Sequence, residues 1–204
     1  MHRKTVIDFR ALGERYTFTQ PIKELKTRDL SEVADLLAQV ESYQEQGYYV
    51  VGYVSYEAAP AFEEKLAVHK APLLDEYLLY FTVHDRVETS PIPLTYDEVD
   101  LPSNWQEVTS EADYEKAIAQ IHHHLRQGGT YQVNYTVQLK QELSANPFAI
   151  YNRMVVEQEA GYNAYVEHDE TAVISMSPEL FFEQNGRELT TRPMKGTTQR
   201  GVTC

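Results

Sequence analysis

The chain has 204 residues, 42% of them apolar and 11% aromatic, enough to bury a core in one domain or at most two small ones. Eighteen basic against 31 acidic residues give a net charge of −13, a field that repels nucleic acid and anionic lipid alike. The lone cysteine, Cys204, rules out an internal disulfide and a thiolate metal cage. With a polar N-terminus and no apolar run of membrane-spanning length, this fits a cytoplasmic protein.

Taken in chain order, Ser31 to Gln46 places Val33, Leu36, Leu37 and Val40 on one helical face, with Gly47 suited to cap its end. Tyr48 to Tyr56 and Leu74 to Val83 are rich in aromatic and β-branched residues and read as strands. Glu88 to Asn104 is proline-bearing and acidic, without a sustained period, and reads as a surface loop. Ser110 and Asp113 form a capping-box pattern ahead of Tyr114, Ile118, Ile121 and Leu125, and Gly128-Gly129 stops that helix. Thr130 to Leu143 alternates apolar and polar residues with a strict period of two, predicting a strand with one buried and one polar face. Asn146-Pro147 opens a helix through Val156. Strands follow at Tyr162–Val166, Ala172–Met176, Leu180–Glu183 and Arg187–Thr191, with Asn185-Gly186 as a hairpin turn.

The segment His122-His123-His124 offers metal-binding side chains, but successive helical residues point about 100° apart and cannot converge on one ion. Against the acidic background, one cationic cluster stands out, Arg192, Lys195 and Arg200. It follows Ser177-Pro178-Glu179-Leu180-Phe181 and a hairpin, within Arg192-Pro193-Met194-Lys195-Gly196-Thr197, and leads to Arg200-Gly201. On local chemistry alone, Glu179 is an ordinary strand-edge carboxylate and Lys195 a solvated turn lysine.

The order and spacing of these segments resemble the chorismate-binding enzymes, a family that includes anthranilate, isochorismate and aminodeoxychorismate synthases. Two further stretches carry the resemblance: Gly47 to Phe62, with its Gly-Tyr-Val-Ser-Tyr-Glu core, and Gly128 to Leu139, containing Tyr131-Gln132-Val133-Asn134. In that family the residue before Gly-Thr is typically alanine in anthranilate and isochorismate synthases and lysine in aminodeoxychorismate synthases. Lys195 therefore points to the p-aminobenzoate and folate branch, in which chorismate becomes 4-amino-4-deoxychorismate by an ammonia-dependent reaction.

The resemblance implies Lys195 as a nucleophile and Glu179, sixteen positions earlier, as a general acid. Gly196 would let the backbone approach the substrate, and Thr197 would receive a substrate carboxylate. It also implies Mg²⁺ as cofactor, held by glutamates of a later portion of the family domain, and a glutamine amidotransferase as the partner supplying ammonia. The implied fold is α+β, a two-layer antiparallel β-sandwich flanked by helices. Residues 1–204 would be the N-terminal part of a single chorismate-utilising domain, with 1–105 as an N-terminal region and 106–204 as the start of an incomplete core. Such a fragment is expected to be inactive by itself. The competing readings are an anthranilate synthase-like enzyme, which Lys195 opposes, and a noncatalytic module that docks an amidotransferase.

Overall fold

A computed structural model describes residues 3–68 and 76–193. Three N-terminal strands, β1 (Lys4–Phe9), β2 (Glu14–Thr19) and β3 (Lys23–Thr27), lead through a short 3-10 turn into α1 (Val33–Glu45). Strand β4 (Tyr49–Val54), a 3-10 segment (Tyr56–Ala61), β5 (Leu79–His84) and β6 (Glu88–Pro91) follow. Further on come β7 (Gln106–Glu107), α2 (Glu111–Arg126), β8 (Leu139–Lys140) and α3 (Pro147–Gln158). The last elements are β9 (Tyr162–His168), β10 (Thr171–Ser177), β11 (Leu180–Asn185) and β12 (Glu188–Arg192). The fold is α+β with antiparallel sheets, as expected.

Two compact units can be distinguished, residues 1–97 with 150–204, and residues 98–149. In the first, a five-stranded antiparallel sheet runs β10-β9-β1-β2-β6 and a three-stranded one β3-β5-β4. Helix α1 covers the smaller sheet because its apolar stripe recurs at helical spacing. Val40 packs with Leu25 and Val83, and Val33 with Ala58 and Leu79; Leu36 seals both groups. The two sheets touch through Tyr77, Tyr80 and Val166, with Tyr53 and Val173 packed alongside. In the second unit, α2 is capped by the Ser110 hydroxyl, which accepts from the Asp113 amide, and β7 pairs with β8.

Several sequence expectations shift. The predicted strand beginning at Leu74 starts in the structure at Leu79; residues 74 and 75 lie outside the described residues. The expected loop after Glu88 contributes β6, which extends the larger sheet by pairing with β2 despite Pro91 at its end. That position suits proline because an edge strand has no second neighbour needing its amide.

The largest correction falls on Thr130 to Leu143. Only Leu139 and Lys140 are in strand, and Tyr131, Val133, Tyr135 and Val137 are exposed rather than forming a buried face. Alternation favours a strand only where a neighbouring strand accepts its backbone hydrogen bonds, and β7 supplies two residues of pairing. Tyr48 to Tyr56 likewise shortens to β4, and its last residue enters the 3-10 segment.

The Gly-Tyr-Val-Ser-Tyr-Glu segment has a packing reason for its glycine. Gly52 lies opposite Phe81 in the β4–β5 pair, and a Cβ there would collide with the Tyr80 carbonyl and the Phe81 Cα. Backbone cannot yield as a side-chain tip does. Gly52→Ala should therefore lower unfolding stability by about 1–3 kcal/mol or more, whereas Gly161→Ala, with open space around its Cβ position, should stay within about 0.5 kcal/mol. Urea titration followed by circular dichroism checks both; equal effects would contradict the close-approach explanation.

Candidate functional site

Residues Ser177 to Glu179 form the link between β10 and β11. Pro178 restricts this link, and Ser177 closes it twice: its hydroxyl accepts from the Glu179 amide at 3.2 Å and donates to the Glu179 carbonyl at 3.0 Å. The Ser-Pro-Glu pattern thus has a local structural role, fixing the backbone from which the exposed Glu179 side chain projects.

Strands β11 and β12 then form a two-stranded hairpin. Their register pairs Asn185 with Glu188 around Gly186-Arg187, so the tight turn lies one residue later than Asn185-Gly186. Gly186 has φ +60°, a conformation glycine adopts without steric cost. At the opposite end Leu180 pairs with Arg192. The open end of the hairpin therefore has Glu179 immediately before one strand and Pro193 immediately after the other. Lys195, Gly196, Thr197 and Arg200 lie outside the described residues, so only Glu179 and Arg192 of the expected site have described positions. Both are exposed, as are Phe181 and Phe182 on the same hairpin.

In the second unit, Glu107, Thr109, Glu111, Tyr114 and Val137 line an open hollow of about 580 Å³. Its two carboxylates oppose an anionic ligand, and it contains none of the residues expected at the site. Gln132 and Asn134, on the polar face of the alternating segment, are exposed and hydrogen-bonded to each other at 3.3 Å. The three histidines of α2 are also exposed. Among the described residues no group of three His, Cys, Asp or Glu side chains could hold a metal ion, so they do not furnish an Mg²⁺ site.

Two buried polar clusters escape a reading by periodicity. Asp8 in β1 lies directly across from Arg15 in β2. The guanidinium donates through Nε to Asp8 Oδ1 at 2.8 Å and through NH2 to Oδ2 at 2.7 Å, and the Tyr151 hydroxyl of α3 donates to Oδ2 at 2.9 Å. The third Arg15 nitrogen, Nη1, donates to Asn152 Oδ1 at 2.9 Å. Asp8 is fully buried; burial, reinforced by the neighbouring Asp8 carboxylate, raises the Tyr151 hydroxyl's pKa, so it stays a donor. The signal for this cluster is an aspartate and an arginine at facing positions of two short strands, which the sequence obscures because charged residues ordinarily mark a solvent face.

The second cluster joins the two sheets. His168 of β9 is 2% exposed and has its ring centroid 4.6 Å from that of Tyr80, 5.4 Å from Tyr77 and 5.8 Å from Tyr53. Its Nε2 lies 2.8 Å from the Tyr53 hydroxyl, while Nδ1 is buried without a hydrogen-bond partner. Burial pushes the Tyr53 and Tyr80 hydroxyls up to about 12. Tyr77 donates to Asp169 at 2.9 Å, a hydrogen bond that lowers the Asp169 carboxyl below its ordinary value.

The family described as chorismate binding enzyme matches residues 3–204. Aminodeoxychorismate synthase component 1 of Bacillus subtilis (strain 168) is 34% identical over 94 residues, covering 46% of this chain and 20% of that protein. The protein of the same name from Klebsiella aerogenes is 30% identical over 113 residues, covering 55% and 24%. Anthranilate synthase alpha subunit 2, chloroplastic, of Arabidopsis thaliana is 30% identical over 96 residues, covering 47% and 15%. The matched stretches thus span a quarter or less of these curated relatives' lengths.

The Asp8 cluster can be tested apart from function. Removing one partner of a buried, hydrogen-bonded ion pair leaves the other charge uncompensated and costs about 3–5 kcal/mol. Asp8→Ala should show a loss of that order in urea unfolding, and the double change Asp8→Leu with Arg15→Met should recover a large part of it. A loss below about 1 kcal/mol for Asp8→Ala would contradict the structural role.

Proposed function

The chain belongs to the chorismate-binding enzyme family, and we propose that within it the chain serves the formation of 4-amino-4-deoxychorismate from chorismate and ammonia. The observation carrying this reading is Lys195 in Pro193-Met194-Lys195-Gly196-Thr197, at the position where the family's branches differ. Relatives named aminodeoxychorismate synthase support it, but relatives named anthranilate synthase match almost as well. Overall similarity therefore does not choose the reaction, and the reading rests on the lysine.

In the proposed chemistry the neutral Lys195 amine attacks chorismate at C2. Both double bonds of the ring diene shift, the C4–oxygen bond breaks, and Glu179 protonates the departing hydroxyl so that it leaves as water. Ammonia next bonds to C4, both double bonds shift back, and the C2–nitrogen bond to Lys195 breaks, returning the amine. The incoming ammonia's surplus proton returns to the Glu179 carboxylate. Chorismate and ammonia thus yield aminodeoxychorismate and water.

Support for the pairing comes from the hairpin. Leu180 and Arg192 face each other, so Glu179 sits next to the register pair that also leads, three residues on, to Lys195. Arg192 adds positive charge at that end, which lowers the affinity of a nearby lysine for its proton and favours the nucleophilic form. Gly196 and Thr197 would receive a substrate carboxylate. A glutamine amidotransferase would supply the ammonia. Mg²⁺ is proposed to neutralise substrate charge, through ligands other than the described residues.

An enzyme carrying this chain at the length of its relatives provides the test. Lys195→Ala should abolish aminodeoxychorismate formation while chorismate binding persists, with some C2-aminated product appearing as free ammonia takes over the attack. Glu179→Gln should lower turnover about 10²-fold or more with little change in binding. Undiminished aminodeoxychorismate formation by the alanine variant, or turnover within a few-fold of wild type for the glutamine variant, would overturn the respective role.

A further inference from the structure

The Tyr53–Tyr77–Tyr80–His168 cluster takes no part in the proposed chemistry, yet it is where the two sheets of the first unit meet. Its geometry is unusual for a load of pure packing. Three rings from the smaller sheet and the segment leading into it surround one imidazole from the larger sheet. The imidazole makes one hydrogen bond, between Nε2 and Tyr53, and its other nitrogen is buried with none.

A neutral imidazole tolerates this arrangement. With the proton on Nε2, that nitrogen donates to the Tyr53 hydroxyl and Nδ1 presents only a lone pair, the less costly group to leave unmatched. A protonated imidazole does not. Nδ1 would then carry an N–H with no acceptor, and a full charge would sit among three tyrosine rings.

The charged groups around it do not remove that cost. From β3, Lys26 and Glu24 face the cluster; from the segment after it, Arg28 lies 3.9 Å over the Tyr77 ring, with Lys26 5.0 Å from the same ring. The N-terminal Arg3 pairs with Glu24 and reaches Asp169 at 3.5 Å, and Lys26 pairs with Glu24 at 3.3 Å. Glu76 lies close enough to act on Tyr53. Asp169 favours a cationic ring, but its carboxylate accepts from Tyr77 and shares Arg3 and Lys26. Three cations, Lys26, Arg28 and Arg3, oppose protonation.

We propose that His168 is a pH-sensitive latch between the two sheets, closing their contact while neutral and loosening it when protonated. Burial lowers the ring below its ordinary value, which agrees with the geometry. The sign follows from the direction. A histidine whose folded value is depressed contributes stability that is fully present above the ordinary value of about 6.5 and is lost as pH falls from there through the folded value.

The other buried histidine supplies the contrast. His84 of β5 is equally buried, but both of its nitrogens face oxygens, Nδ1 to the Thr19 carbonyl at 3.2 Å and Nε2 to Thr82 Oγ1 at 2.9 Å. Burial lowers the His84 ring as well, but a protonated His84 would have an acceptor for each N–H, and the Thr19 carbonyl opposes the shift.

Urea unfolding of the 204-residue protein, measured at intervals between pH 7.5 and 5, tests the latch. Wild type should lose folding equilibrium once pH falls below about 6.5, with a contribution from His168 approaching tenfold per pH unit, the limit for one linked proton. His168→Phe should flatten that profile by more than His84→Phe does. An equal or smaller flattening overturns the proposal. If the phenylalanine variant does not fold, NMR titration of the wild-type ring decides it. His168 should titrate below the ordinary histidine value, and the Tyr53 and Tyr80 ring resonances should move with it. Titration at or above the ordinary value, or tyrosine resonances indifferent to it, overturns the latch.

Discussion

The carboxylate of Asp8 holds together parts of the chain that are far apart in sequence. It lies in the central strand of the larger sheet, where it takes two hydrogen bonds from Arg15 of the next strand and one from Tyr151 of α3. Residue 8 is thereby tied to residue 151, and β1 is simultaneously zipped to β9 along a five-residue register. The segment 150–193, which carries the β10 strand and the Ser-Pro-Glu link, belongs to one compact unit with the N-terminal strands. An ion pair buried this deeply is a weak source of net stability, since desolvation offsets much of the attraction. The observed register of β1 against β2 sets Asp8 opposite Arg15 and so lets the two charges satisfy each other.

That dependence explains which features the sequence discloses. Helix α1 is legible because Val33, Leu36, Leu37 and Val40 recur at helical spacing and meet one sheet face. The C-terminal strands and the hairpin turn are legible from β-branched runs and Asn185-Gly186, to within a residue or two. The three N-terminal strands are not, because Asp8, Arg15 and Thr5 occupy buried positions where a hydrophobic pattern would place apolar residues. The opposite error occurs at Thr130 to Leu143, where perfect alternation exists without a partner strand of matching length. Periodicity reports what a segment can bury, and only tertiary context supplies the surface against which it does so.

The site was legible in a different way. Glu179 and Lys195 are unremarkable by composition, and the roles proposed for them rest on the surrounding pattern. The structure adds a physical reason for part of that pattern, since Ser177 and Pro178 fix the backbone at Glu179 and the β11–β12 register sets the next residue, Leu180, opposite Arg192. Against the chain's net charge of −13, Arg192, Lys195 and Arg200 are cations close together in sequence, which is why the proposal places an anionic substrate there. The family is clear from the match across residues 3–204, whereas the choice between amination at C4 and at C2 rests on one side chain.

The regiochemistry of amination is therefore the decisive observable. An enzyme carrying this chain at the length of its relatives can be supplied with chorismate and ¹⁵N-labelled ammonia, and the position of the label in the product read by NMR. Attack by a lysine at C2 followed by ammonia at C4 places all of the label at C4. Label at C2 would contradict the proposed role of Lys195 and move the chain to the anthranilate side of its family.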